Sequence, residues 1–460
     1  MLSPYAIDSS AVIARVQEAG VRQVRFLYCD NGGIIRGKAC GRQALAVRLS
    51  GGIGLPVAMQ AMNSLDQLQV LEGLGLVGEV RLVPDPRTLR ILPYAPHTAA
   101  MLCDILELDG RPWELCPRTF LRRQLEKAYQ APGLTFIAAF EPEWSLARRG
   151  PDGSYSAIDD SLGFSSVGMT TPATVIDEII AALEAQNIKV EQYHSEMGHG
   201  QQELSILAAT ALEAADNQLI YRETVRSVAW NQGLIASFAP KPFSEQPGNG
   251  CHVHLSGWVG DRGDINLFYD PQDRYNLSEM GYYFIGGILA HLPALVALTC
   301  PTVNSYRRLK PQSWAAAYSC YGPDNREAAV RIASPLHGKE SVSLNLEIKA
   351  SDNTSNPYLA LGGIIAAGLD GIQKKMHPGE NLLALVDPAI LSEAEREARG
   401  IVRLPDNLAT ALDNLEKDKV LLEALGPRLA QAYLAVKRSE VAAFAAESQF
   451  FEINQHFYKY

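Results

Sequence analysis

Several protein classes are argued against by what this sequence lacks. It has no CxxC pair, and its seven cysteines (Cys29, Cys40, Cys103, Cys116, Cys251, Cys300 and Cys320) are an odd number scattered over 460 residues. That usage speaks against a disulfide framework or a structural zinc site and fits reduced thiols in a cytoplasmic protein. Positive charge is scarce: 41 Lys and Arg against 51 Asp and Glu leave a net charge of −10. A nucleic-acid binder needs a basic patch to displace counterions, so no nucleic-acid partner is expected. The opening MLSPYAIDSS has neither a basic nor an apolar leader segment, so no signal peptide is read there. Met280–Tyr306 is free of Asp, Glu, Lys and Arg and long enough to span a bilayer, but it holds His291, Pro293 and Pro301 and lacks flanking anchors. It reads as a buried core helix, and no membrane partner is expected. There is no GxxxxGK[ST] loop and no GxGxxG after a strand, so any nucleotide is held by another scaffold.

What is present is a large apolar fraction, 47%, enough for a sizeable core; the length suits two or three domains or one large one. SSAVIARVQEAG (9–20) reads as a helix with a serine start and a glycine stop. VRQVRFLYCD and IIRGKACG, joined by Asn31-Gly32-Gly33, read as a hairpin. GGIGLP (51–56) reads as a flexible loop, and the proline-rich Leu82–His97 as a boundary or covering segment. The composition shift places a first domain at 1–97 and a second at 98–460. In the second, Arg118–Tyr129, Pro172–Gln186 and Ala208–Gln232 are expected as helices and Phe136–Leu146, Gly250–Ser256 and Ser341–Ala350 as strands. Residues 406–446 show helical spacing with a break at Gly426-Pro427.

Four stretches put polar groups where strands are usually apolar. FEPEW carries Glu141 and Glu143, two apart and so on one face of a strand. HSEMGHGQQEL carries Glu196 and Glu203, GNGCHVHLSG carries His252 and His254, and NLEIKASD carries Glu347 and Lys349. Singly, each has an ordinary reading: an exposed edge strand, a surface loop, half-buried histidines, a weak ion pair. Like charges packed together repel and are costly to bury unpaired, so the set as a whole calls for positive charge. Carboxylates with one or two imidazoles suit magnesium or manganese rather than zinc, and five carboxylates are enough for two or three ions. NSYRRLKPQSW adds Arg307 and Arg308, and DNREAAVRIAS adds Arg326 and Arg331. Guanidinium forks bind phosphate and carboxylate, and arginines beside a metal cluster are the equipment of phosphoryl transfer. For Arg307 alone a surface ion pair is the preferred reading.

Taken together, PDPRTLRILPY, EPEW, the E…GQQE stretch, GNGCHVHLS, PTVNSYRRL, NREAAVRI, LEIKASDNTSNPYLALGGIIAAGLDGI and FEINQHFYKY make the chain resemble the glutamine synthetase superfamily nearly end to end. The resemblance implies an α+β protein, with a small β-grasp N-terminal domain and a large catalytic domain built on a curved antiparallel sheet. It implies ATP and L-glutamate as substrates and a homo-oligomeric ring of six or twelve subunits, with a dodecamer preferred and sites shared between neighbours. Matched motif by motif, Glu143, Glu196 and Glu203 correspond to ligands of one metal and Glu141, His252 and Glu347 to ligands of a second. His254 falls at a nucleotide-side histidine, and Arg308 at the arginine holding the glutamate α-carboxylate. Arg326 and Arg331 fall at phosphate-side positions, and Gly248 and Gly250 in the loop lining the glutamate pocket.

The departures bear on the acceptor. The flap glutamate that helps bind and deprotonate ammonium in glutamine synthetases is here Trp314, and the Asp-Gly-Ser-Ser loop is replaced by GGIGLP. The loop before the histidines reads Pro247-Gly-Asn-Gly, an arginine near the transferred phosphate is Lys349, and no adenylylation tyrosine is found. A small cation without its counter-charges binds poorly, whereas an aromatic residue favours an alkyl or aryl amine; Trp314 as a mere packing residue is the plainer alternative. The pattern is similar to γ-glutamyl-amine ligases. It implies glutamate joined to an organic amine through γ-glutamyl phosphate. The rivals are an ammonia-using synthetase, a non-catalytic relative, and a zinc amidohydrolase built on His252 and His254.

Overall fold

The computed structural model describes residues 9–259 and 264–460, so residues 1–8 of the stretch read for a leader lie outside the described residues. The helix expected at the start is Ser9–Glu18, burying Val12 and Val16 one turn apart. The hairpin follows as Gln23–Cys29 and Ile35–Gly41, paired from Gln23↔Gly41 to Cys29↔Ile35. These strands edge a six-stranded sheet in the order Ile35–Gly41, Gln23–Cys29, Thr98–Leu106, Glu79–Pro84, Ile53–Pro56, with Arg90–Ile91 also on Thr98–Leu106.

Two expectations change here. GGIGLP is not a loop throughout: Ile53–Pro56 is a strand antiparallel to Glu79–Pro84, with Leu55 buried. Its glycines hid an apolar alternation. The proline-rich segment does not end the first unit either. Thr98–Leu106, every residue buried, lies at the centre of the first sheet, parallel to Gln23–Cys29 and antiparallel to Glu79–Pro84. A boundary at 97 would cut that sheet through its middle.

The second sheet has twelve strands. Its spine runs Val402–Arg403, Tyr318–Pro323, Ala328–Ala333, Asn345–Ile348, Cys251–Val259, Thr135–Arg149, Gln201–Ile206, Val190–Ser195. All these neighbours are antiparallel except Tyr318–Pro323 with Ala328–Ala333. The helices expected in the sequence appear as Pro117–Gln130, Ala173–Ala185 and Ala211–Asn231, and the C-terminal run as Leu408–Leu415, Lys419–Leu425 and Pro427–Ala445. Ser341–Ala350 is strand only over Asn345–Ile348, preceded by a helical turn at Glu340–Ser343.

Behind the sheet lie Glu279–Thr299 and Pro357–Lys374. The first is long and apolar enough to cross a membrane, but it is mostly buried inside the protein, as a core helix is. Its contact with the second is set by glycine: a Cβ on Gly287 would come 2.2 Å from the Ala367 carbonyl and 2.7 Å from Gly371. The backbones meet because neither side chain exists, which locks the helices that brace the sheet.

Candidate active site

Cross-strand register assembles the site. On neighbouring strands His252 lies opposite Glu141, Glu143 opposite Glu203, and His254 and Arg331 both opposite Glu347. Opposed residues share a face, so these polar groups, two apart along each strand, point into one concavity.

The ligand atoms gather in two groups, each within 4.8 Å among themselves: Glu141, His254 and Glu347, and His194, Glu196 and Glu203. In the first, His254 Nε2 is 3.2 Å from Glu141, and His254 Nδ1 is 2.8 Å from Asn345 Oδ1. His252 adjoins it, with Nδ1 3.1 Å from Glu347 and 3.6 Å from Glu141. In the second, His194 Nε2 is 2.8 Å from Glu196, and the Met197 N–H donates to that carboxylate at 3.0 Å. The tight groups thus contain His254 and His194 where the sequence suggested His252 and Glu143. His194 was missed, although it stands two residues before Glu196, at the spacing that singled out the other pairs. Glu143 lies between the groups and accepts from the Gly250 N–H at 2.9 Å and Gln201 Nε2 at 2.8 Å.

The cations divide by task. Arg308 is buried, donating to the Ser351 carbonyl at 3.2 Å with a second nitrogen 3.3 Å from His252 Nε2. The loop before the histidines must be glycine to pass it: a Cβ at Gly250 would lie 2.4 Å from the Arg308 guanidinium, and one at Gly248 would lie 2.9 Å from Arg308 Cγ. Lys349 Nζ is 3.2 Å from Glu347 and 3.4 Å from His252 Nε2, while Arg331 ion-pairs with Glu347. Arg307 instead forks onto Glu452 at 2.7 and 2.6 Å, a structural pair. Arg326 lies over the Trp314 ring, 5.9 Å from its centroid. Trp314 itself is half exposed, on a stretch with left-handed backbone at Gln312, Trp314 and Ala316.

Charge in the site is unbalanced. Burial pushes the Glu203 carboxyl far up, helped by Glu141, Glu143, Glu196 and Glu347. Burial also carries Glu143 up to about 7 against the pull of Arg308. His252 falls to about 4 through burial and the nearby Lys349. His254 rises to about 9: burial opposes this, but the Glu141 carboxylate prevails. Glu347 falls to about 2, because Lys349 and the histidines outweigh its burial. Glu143 and Glu203, driven toward protonation by burial and by neighbouring carboxylates, stand beside imidazoles in a donor set that fits hard divalent cations. A cavity of about 500 Å³ opens beside Glu141 and His254, walled by Trp258, Leu336, Val342 and Asn345. A larger one, about 600 Å³, lies away from these carboxylates, between the hairpin and Ala211–Asn231.

Two family models cover this architecture: glutamine synthetase N-terminal domain over residues 8–113 and glutamine synthetase, catalytic domain, over 114–456. The chain belongs to the glutamine synthetase family. It is 36% identical over 439 residues to a gamma-glutamylpolyamine synthetase of Streptomyces coelicolor, covering 95% of this chain and 93% of that one. It is also 36% identical to a glutamine synthetase of Halobacterium salinarum, covering 98% and 97%. A glutamate–methylamine ligase of Methyloversatilis universalis is 36% identical, with 84% and 87% covered. A solved structure described as a GmaS/ADP complex superposes with a TM-score of 0.83 at 30% identity, over 96% of this chain and 98% of that one. The protein is therefore a ligase of the glutamine synthetase family, whose members use ATP and divalent metal ions. The two family models meet at 113–114, where the first sheet has just been completed by Thr98–Leu106.

Proposed function

We propose that the protein joins the γ-carboxyl of L-glutamate to an organic amine through γ-glutamyl phosphate, consuming ATP. The observation that carries this reading is Trp314. At the place where a glutamine synthetase has an ammonium-binding carboxylate, this chain has a half-exposed indole backed by the Arg326 guanidinium. An indole favours contact with an alkyl or aryl group and provides no counter-charge for ammonium.

In this reading Arg308 holds the glutamate α-carboxylate as a fork, with Gly248 and Gly250 shaping the pocket around it. The γ-carboxylate then attacks the γ-phosphorus of ATP, and ADP leaves. Arg326, Arg331 and Lys349 offset the charge spreading over the transferred phosphoryl group. His254, which lines the 500 Å³ cavity, would serve the nucleotide side. The neutral amine nitrogen attacks the γ-carbonyl carbon, phosphate departs with the C–O bond electrons, and the nitrogen passes a proton to the departing phosphate to give the amide. Glu143, Glu196 and Glu203 would hold one ion and Glu141, His252 and Glu347 another, with His194 and His254 close enough to join them. Magnesium or manganese, two or three per site, would act there as Lewis acids toward phosphate oxygens. The working form is proposed as a homo-oligomeric ring, a dodecamer.

A competition experiment tests the reading. Purified protein with ATP, magnesium and glutamate is given ammonia and a primary amine at equal concentration, and mass spectrometry separates glutamine from the γ-glutamyl amide. The amide is the expected main product. Glutamine as the main product replaces this reading with an ammonia-using synthetase.

A further inference from the structure

Beneath Trp314 lies a carboxylate that the sequence does not single out. Glu327 sits between the Tyr318–Pro323 and Ala328–Ala333 strands, thirteen residues after Trp314, and is 7% exposed. Its Oε1 accepts the Trp314 backbone N–H at 2.6 Å. Its Oε2 is buried and has no hydrogen-bond partner among the described residues, with the Gln312 N–H nearby as a second backbone dipole on the carboxylate. An unpaired carboxylate oxygen at such depth costs free energy unless a donor arrives during function. The Trp314 segment turns back onto the end of the Ser305–Arg308 helix, where Ser313 Oγ donates to the Lys310 carbonyl and lies 3.3 Å from the Arg308 carbonyl. The carboxylate therefore lies directly under the residue that stands where a flap acid is missing.

We propose that Glu327 receives the acceptor: its free Oε2 takes an N–H of the incoming ammonium group and removes one proton. This rests on the ligase reading above and supplies the base that reading lacks. The step balances simply. R–NH3⁺ and the Glu327 carboxylate give R–NH2 and the Glu327 acid. The freed lone pair then forms the C–N bond as phosphate leaves with the C–O bond electrons; the nitrogen's second proton goes to the departing phosphate, and the Glu327 acid returns its own proton to solvent. The environment favours such a role: burial pushes the Glu327 carboxyl up and Asp387 adds to this, while the Trp314 and Gln312 N–H groups and Lys349 oppose it. A carboxyl raised toward neutrality is better matched to accept a proton from an amine than one at its ordinary value.

The test uses the full chain with ATP, magnesium and glutamate, comparing Glu327→Gln with wild type. Glutamine keeps a carbonyl oxygen for the Trp314 N–H but cannot take a proton. Two acceptors are compared: a primary alkylamine, charged at neutral pH, and hydroxylamine, already neutral. A base role lowers kcat with the alkylamine on the order of a hundredfold and leaves hydroxylamine turnover and the KM for ATP and glutamate near wild type. Equal losses with both acceptors would mean that Glu327 only shapes the loop, and no loss with either would remove it from the reaction; both overturn the proposal. A wild type that prefers ammonia overturns the organic-amine reading alone, and the same comparison with ammonia still decides the role of Glu327. A wild type that releases no phosphate with any acceptor overturns both.

Discussion

Trp314 holds a backbone conformation, φ of 56°, that non-glycine residues adopt at a cost of about 1 kcal/mol or more. The Glu327 hydrogen bond to its N–H and the Arg326 guanidinium over its ring hold it there. This allows structure and specificity to be separated. Trp314→Gly suits the conformation, so the melting temperature should stay level or rise, while kcat/KM for the organic amine falls about tenfold, the loss of ~1.4 kcal/mol of aromatic contact. A melting temperature that falls with activity would mark the indole as packing alone. Trp314→Glu should shift the product ratio toward glutamine, read by mass spectrometry in the competition assay. At this scale the sequence was legible where a period of two exposed it, as at Glu141/Glu143 and His252/His254. His194 obeys the same period with Glu196, but a lone histidine before a glycine-rich loop carries no second signal. Glu327 had no such signal, because its partner lies thirteen residues away and is a backbone N–H.

At the scale of elements, register does the assembling. Because His252 faces Glu141 and Glu203 faces Glu143, no long loop is needed to bring the carboxylates together. Alternation within each strand is readable, but the order of strands in the sheet is not, since it depends on pairings as distant as Trp258 with Thr135. That is why His254 falls beside Glu141 in the tight group while His252 turns its Nε2 toward Arg308 and Lys349. The Ile53–Pro56 strand is hidden in the sequence for a related reason: glycine weakens strand propensity, but pairing with Glu79–Pro84 overrides it. The glycine loop gives a direct test. In Gly250→Ala the new methyl would sit 2.4 Å from the Arg308 guanidinium. We expect the glutamate KM to rise at least tenfold with the ATP KM little changed, measured by steady-state phosphate release. Gly287→Ala, whose methyl would meet the Ala367 carbonyl at 2.2 Å, should instead cost about 1–3 kcal/mol of stability by overpacking.

For the whole molecule, the two sheets are bound through buried charge. Arg118, 2% exposed, donates to Asp85 and Asp104 at 2.9 Å and to Asp216 at 2.7 Å, tying the proline-rich segment and the first sheet to the Ala211–Asn231 helix. Removing one partner of such a network leaves charges buried and uncompensated. Arg118→Ala should therefore destabilise the fold by roughly 3–5 kcal/mol in a denaturant titration. The site adds a dependence on pH. His254 keeps its proton up to about 9 in the folded chain, against an ordinary 6.5. Between those values the native state binds more protons than the unfolded one, so the contribution is complete below 6.5 and is lost as pH rises to 9. Metal-free protein should lose up to about 3 kcal/mol across that window. Stabilisation by added magnesium or manganese should grow over the same interval, as metal replaces proton; thermal melts with and without chelator measure both.

The measurement closest to the central claim is steady-state phosphate release with ATP, magnesium and glutamate across ammonia, methylamine, isopropylamine, ethanolamine, putrescine, spermidine and aniline. At least one organic amine should exceed ammonia in kcat/KM by tenfold or more, with the matching γ-glutamyl amide found by mass spectrometry. Ammonia as the best acceptor in the panel would contradict it.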